Sequence, residues 1–88
     1  MVIGLLRVDL QIPGCHSLKE KRSIIKKHIH RIRRNYNAAV AETDKNDLWQ
    51  RAELSFVTIN SLKDSAEITL YRILHELDTA QDMQVLGE

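Results

Sequence analysis

The 88-residue chain contains one cysteine, one proline and three glycines, and only 5% of it is aromatic. A lone Cys15 excludes a disulfide within the chain, and with it the small disulfide-stapled scaffolds. The same usage fits a reducing cytoplasm, and no secretory leader is evident. No apolar run approaches the roughly 20 residues that span a bilayer, so a membrane-spanning role is not expected. So few prolines and glycines leave no linker, repeat or low-complexity tract, and residues 1–88 read as a single domain. A domain of this length buries only about 60–65% of the surface its unfolded chain exposes, enough for one two-layer core.

What the chain has is charge, unevenly placed. Its formal net charge is +1. Residues 17–36 hold Lys19, Lys21, Arg22, Lys26, Lys27, Arg31, Arg33 and Arg34 against Glu20 alone. That segment carries +7, and the remainder therefore carries −6. Such asymmetry marks a surface suited to an anionic partner, although a solvated helix face has the same composition.

The alternation from Met1 to Ile12 predicts a strand. Val2, Gly4, Leu6, Val8, Leu10 and Ile12 share one face, and Ile3, Leu5, Arg7, Asp9 and Gln11 share the other. Such a strand belongs in a sheet covered on one side. Pro13-Gly14 ends it in a turn. Ser17-Leu18-Lys19-Glu20 has the form of a capping box, in which Glu20 is expected to reach back to the Ser17 amide. At 100° per residue, Leu18, Ile25, Ile29, Ile32 and Tyr36 form an apolar stripe. Arg22, Arg33, Lys26, Lys19, His30, Arg34 and Lys27 sweep from its edge to the far side. The helix is ~30 Å long, and an asparagine of Asn35-Tyr36-Asn37 is expected to close it in a left-handed conformation.

Further strands are predicted at Ala38–Thr43, a sheet edge; at Trp49–Ile59, after the polar turn Thr43–Asp47; and at Met83–Leu86. Strands one and three read as antiparallel, with paired numbers summing to 60. That register sets Asp9 opposite Arg51, Arg7 opposite Glu53, Leu6 opposite Leu54 and Phe56 over Gly4. A second helix starts with Ser61 as its cap. It buries Leu62, Ala66, Leu70, Ile73, Leu74 and Leu77, leaving Ile68, Tyr71 and His75 outside. Trp49 is expected to pack at the base of its hairpin. The order βαββαβ gives an α+β, ferredoxin-like sandwich: a four-stranded antiparallel sheet with two helices on one face. The short last strand leaves part of strand one as a free edge, which invites a homodimer.

Val-Ile-Gly-Leu-Leu-Arg-Val at the start, Pro13–Arg22, and Asp47-Leu48-Trp49-Gln50-Arg51-Ala52-Glu53 together resemble the YlxP-like family of small bacterial proteins. The resemblance runs from about residue 1 to 60. It implies a ferredoxin-like domain of unknown function, often encoded near translation and ribosome-maturation genes.

No catalytic, metal or cofactor site is read from the sequence. His28 and His30 diverge by roughly 160° on a helix and cannot share a metal. Cys15 and His16 lack the spaced second pair that zinc needs. No phosphate-binding glycine loop follows strand one, and the arginine-bearing loop of an acylphosphatase is absent between residues 11 and 17. Stacking of bases on the sheet, as in an RNA-recognition motif, needs aromatics that strand one lacks. The expected function is thus a non-enzymatic binding protein. Lys19, Arg22, Lys26, Lys27, Arg33 and Arg34 would meet phosphates of structured RNA or the ribosome. The alternative is a homodimeric protein-interaction module built on the sheet edge, its basic helix docking on acidic protein.

Overall fold

A computed structural model describes residues 1–88. Its elements are β1 (Val2–Gln11), α1 (Leu18–Asn35), β2 (Ala39–Asp44), β3 (Arg51–Asn60), α2 (Lys63–Thr79) and β4 (Gln84–Gly87). The sheet is antiparallel with strand order β2-β3-β1-β4. This is the expected ferredoxin-like α+β fold, with β2 at one edge. Alternation on β1 decides which face is covered: Val8, Leu10 and Ile12 are buried, while Ile3, Leu5 and Arg7 are exposed. The core joins Val8 and Leu10 of β1, Ile12 just beyond it, and Ala52, Leu54 and Phe56 of β3 to Ile25 and Ile32 of α1 and Ile73 and Leu77 of α2. Both helices therefore cover one face. α2 lies over β1 and β3 and reaches β4, whereas α1 lies toward β2.

The pairing of β1 with β3 differs from the expected register by two residues. Val2 is opposite Asn60 and Gln11 opposite Arg51, so paired numbers sum to 62. Leu6 meets Phe56, Val8 meets Leu54 and Asp9 meets Glu53. A slip of two keeps every side chain on its face, so the apolar pattern cannot detect it. Asp9 and Glu53 would repel as direct neighbours. Arg51 Nη2 and Lys45 Nζ, each 2.7 Å from an Asp9 oxygen, offset this. Phe56 does not cover Gly4. A Cβ built on Gly4 would lie 2.8 Å from Leu70 Cδ1, so α2 fills that space.

Local endings also differ. The Ser17 hydroxyl accepts from the Glu20 amide at 3.1 Å, as a capping box requires. The Glu20 carboxylate, however, accepts from the amide of His16 at 3.2 Å, one residue beyond the expected Ser17. α1 closes through an extended Tyr36 (φ −134°) instead of a left-handed asparagine. Asn37 Nδ2 donates to the Ile59 carbonyl and the Asn37 backbone carbonyl accepts from the Thr58 hydroxyl, which holds the exit extended against β3. α2 is capped by Leu62 with no side-chain bond, and Asn60 Oδ1 accepts from the Leu62 amide. Ser61 caps nothing, and Leu62, expected in the core, is exposed. Trp49 is 53% exposed, because β3 begins at Arg51 and residues 47–50 turn outside the sheet. No helix is long and apolar enough to cross a membrane.

β4 pairs with β1 only at Asp9, Leu10 and Gln11, with a bulge between Asp9 and Leu10. From Val2 to Val8, β1 is paired on its β3 side alone.

Candidate functional site

Alpha-helix geometry places residues 19, 22, 26, 30 and 33, spaced by three and four, along one ridge. In α1 that ridge is Lys19, Arg22, Lys26, His30 and Arg33, and all five are exposed. Lys27 and Arg34 follow on its trailing side and are exposed too. The structure thus brings all six expected cations onto one helix surface, but not in one electrostatic state. Lys27 Nζ lies 2.6 Å from Asp82 Oδ2. Arg33 donates through Nη2 to the Val40 carbonyl at 2.9 Å, which turns its guanidinium toward β2. Lys19, Arg22, Lys26 and Arg34 have no ion-pair partner. Four charges therefore stand free on the outer surface, and Glu20, the one carboxylate of the helix, is occupied with its cap.

The buried side of α1 is not centred on the expected stripe. Lys21, Ile25, His28 and Ile32 are its buried residues, whereas Leu18 and Ile29 are only partly covered. At 100° per residue the buried arc is rotated by roughly 40° from the apolar stripe. The rotation points Lys19, Lys26, His30 and Arg34 most directly at solvent. Two polar residues cause it.

Lys21 is 0% exposed, yet its ammonium is fully partnered. It donates to the carbonyls of Lys45 (2.9 Å), Asn46 (3.3 Å) and Arg51 (3.2 Å). These use its three protons. Glu42 Oε2, 2.9 Å away, balances the charge. Lys45 sits at φ +60°, a strained conformation for a side chain of its length. The Lys21 bond to its carbonyl, its own Nζ bond to Asp9 and its amide bond to Asp44 hold it there. Lys21 is thus a staple between α1 and the β2–β3 hairpin, and it is withdrawn from the basic surface.

His28 is 3% exposed. Its Nε2 lies 2.7 Å from Asp82 Oδ1, and its Nδ1 is buried without a partner. Burial lowers the His28 pKa below its usual 6.5, although the Asp82 carboxylate opposes this. The neutral ring then donates from Nε2 to Asp82. Burial pushes the Asp82 carboxyl up, but hydrogen bonds from Lys27 and His28 outweigh it and the pKa falls. Asp9 is held low chiefly by the Lys45 hydrogen bond, with Arg51 assisting against burial. Tyr36 is pushed above its usual 10.0 first by the neighbouring Glu76 carboxylate and then by burial. Glu76 accepts from Arg31 Nε at 3.0 Å. The polar cleft of Lys27, His28, Arg31, Glu76 and Asp82 is therefore internally paired and offers no free charge.

Cys15 is buried in the core with its thiol donating to the Ser17 carbonyl at 3.3 Å, and the adjacent His16 is exposed. His28 is buried and His30 exposed, so they face different surroundings. The groupings that sequence reasoning missed are Lys21 with its hairpin carbonyls and His28 with Asp82. Their only sequence signal is a cation and a histidine interrupting the apolar side of an otherwise amphipathic helix.

Fold and surface together define a class: a ferredoxin-like α+β domain whose first helix presents a one-sided basic surface. Residues 3–88 match the family described as protein of unknown function (DUF503), and the chain belongs to that family. It is also similar to the uncharacterized protein YlxP of Bacillus subtilis (strain 168). The two are 28% identical over 83 residues, which cover 94% of this chain and 90% of that relative. The match extends through α2 and β4, further than the motifs up to residue 60 indicated.

Proposed function

We propose that this chain is a non-enzymatic, cytoplasmic binding protein that docks structured RNA through the outer surface of α1. The observation that carries the reading is the set of four exposed cations, Lys19, Arg22, Lys26 and Arg34, with no carboxylate partner in the fold. Phosphate contacts position a protein without reading bases, which suits a rigid helix with no aromatic side chain on its outer face. Lys27 and Arg33 flank the set and complete the surface; each must exchange or share its present partner to reach a phosphate. Ribosomal RNA is the target of choice, since the family resemblance implies genes near those of translation and ribosome maturation.

Four phosphate contacts give a log–log salt slope of about −3 on the single-strand coefficient and nearer −4 on the duplex one. Filter binding to ribosomal RNA across a salt series measures it. The variant carrying Lys19→Glu, Arg22→Glu, Lys26→Glu and Arg34→Glu is expected to fold and to lose binding. Salt-insensitive association, or none by the wild type, rejects the reading.

A further inference from the structure

We infer that Trp49 stacks an unpaired base of the RNA that α1 holds, so that this chain prefers looped or single-stranded RNA to a continuous duplex. The inference rests on the reading of α1 as an RNA surface, and it adds a contact that phosphates cannot supply.

The chain has one tryptophan, and it is 53% exposed beside Leu48 at 50%. Both sit at the tip of the β2–β3 hairpin, just past the bond from the Ile12 amide to the Gln50 carbonyl at 2.8 Å. The tip is anchored without their side chains. Lys21 Nζ donates to the carbonyls of Lys45, Asn46 and Arg51, and the Leu48 amide donates to the Lys45 carbonyl at 3.1 Å. Gln50 Nε2 donates to the Cys15 carbonyl at 3.2 Å. Except for the Gln50 amide, these bonds use backbone groups of the tip, which any residue supplies. The fold therefore has no use for an indole at position 49, yet it presents one in the open on an anchored loop. With Asp47, Gln50 and Arg51, Leu48 and Trp49 line a shallow depression of about 420 Å³. A pre-positioned aromatic loses little freedom on binding. Its face accepts any base, and stacking on such faces is how proteins commonly take unpaired nucleotides.

Charge selects RNA as the occupant, because the tip adjoins the free cations of α1. The Arg51 carbonyl is 3.2 Å from Lys21 Nζ. Trp49 is two residues away, so its Cα lies within about 13 Å of that ammonium. Arg33 marks the side of α1 that faces β2, through its bond to the Val40 carbonyl. Arg22 stands three turns earlier, about 20° away around the helix and ~16 Å along it. Lys45, at the start of the tip, is a similar ~17 Å from Val40 along the hairpin. Arg22 therefore shares that side of α1 at the level of the tip, and Lys19 and Lys26 follow it on the outer surface. RNA laid along these cations and past the first turn of α1 meets the tip with its next nucleotides. Asp47 has no ion pair and repels phosphate. The sugar–phosphate chain thus stays on α1, and a neutral base is what reaches Trp49. A base inside a continuous duplex is already stacked on both faces and offers none.

Since Trp49 is the sole tryptophan, its fluorescence reads the contact directly and needs no variant. Two RNAs of equal phosphate number are compared at one salt concentration: a stem closed by a single-stranded loop, and a continuous duplex. The stem-loop is expected to quench Trp49, and the duplex to leave it unchanged. Trp49→Ala is expected to bind the stem-loop about tenfold more weakly, with the duplex affinity and the salt slope of the wild type. Trp49→Phe is expected to recover most of that loss. Filter binding by the wild type separates this inference from the one beneath it. Salt-sensitive binding of both RNAs without quenching, or a Trp49→Ala chain that binds the stem-loop as tightly as wild type, overturns this inference alone and leaves the tip to a protein partner. Absence of salt-sensitive binding to either RNA overturns it together with the reading of α1.

Discussion

Lys21 is the side chain whose environment departs most from its chemistry. An ammonium at 0% exposure survives because three carbonyls take its protons and Glu42 its charge. Removing one partner of such a pair leaves the others buried and unsatisfied. Lys21→Met should therefore destabilise the chain by about 3–5 kcal/mol. Glu42→Gln should cost less, because the carbonyls still hold the ammonium. Denaturant midpoints of the two variants check the ranking. His28 gives a pH signature. Its folded pKa is lowered, so the unfolded chain takes up the proton first, and stability present above 6.5 is lost as pH falls below that value. Asp9 and Asp82, also lowered, act further down, with loss beginning only as pH falls below about 3.8. Thermal melts from pH 7 to pH 5 should show the first loss, and His28→Gln should flatten it. Neither residue's role was legible in the sequence. Lys21 bonds to carbonyls of residues 45, 46 and 51, and His28 to residue 82, and such long-range polar pairing leaves no periodic trace.

Elements were legible where one face is wet and the other dry. The β1 alternation is legible because Leu6, Val8 and Leu10 meet the core while Ile3, Leu5 and Arg7 are exposed. Register was not legible, since the two-residue slip on β3 leaves that alternation intact. The same logic separates the helix starts. Ser17 caps α1 because its hydroxyl faces the Glu20 amide, whereas Ser61 has a suitable identity but lies one residue before the cap. Ser17→Ala should cost about 1 kcal/mol. Ser61→Ala, at an exposed site without a bond, should stay within about 0.5 kcal/mol of wild type. Equal losses in urea titrations of the two would show that Ser17 is no cap. For α1 itself the apolar stripe gave the helix but misplaced its buried arc. The basic surface was legible all the same, because charged side chains with no partner point outward whatever the exact rotation.

At the scale of the whole molecule, net charge is a poor guide to behaviour. The formal charge of +1 arises from +7 on residues 17–36 and −6 elsewhere. A uniformly charged protein of this composition would interact weakly with a phosphate-bearing surface. A one-sided molecule orients, presenting the cation side within the ~8 Å over which charges act at physiological salt. Retention on heparin or phosphocellulose at neutral pH should therefore be substantial and should fall as salt is raised. Two charge-matched variants separate the accounts. Lys26→Glu with Arg34→Glu removes two free cations from α1. Lys63→Glu with Arg72→Glu lowers the net charge by the same amount at exposed positions on α2. If net charge governs, both variants elute early and together. The one-sided surface requires that only the α1 variant lose retention, while the α2 variant elutes close to wild type. Simultaneous loss in both would show that the charge on α1 is not acting as a surface of its own.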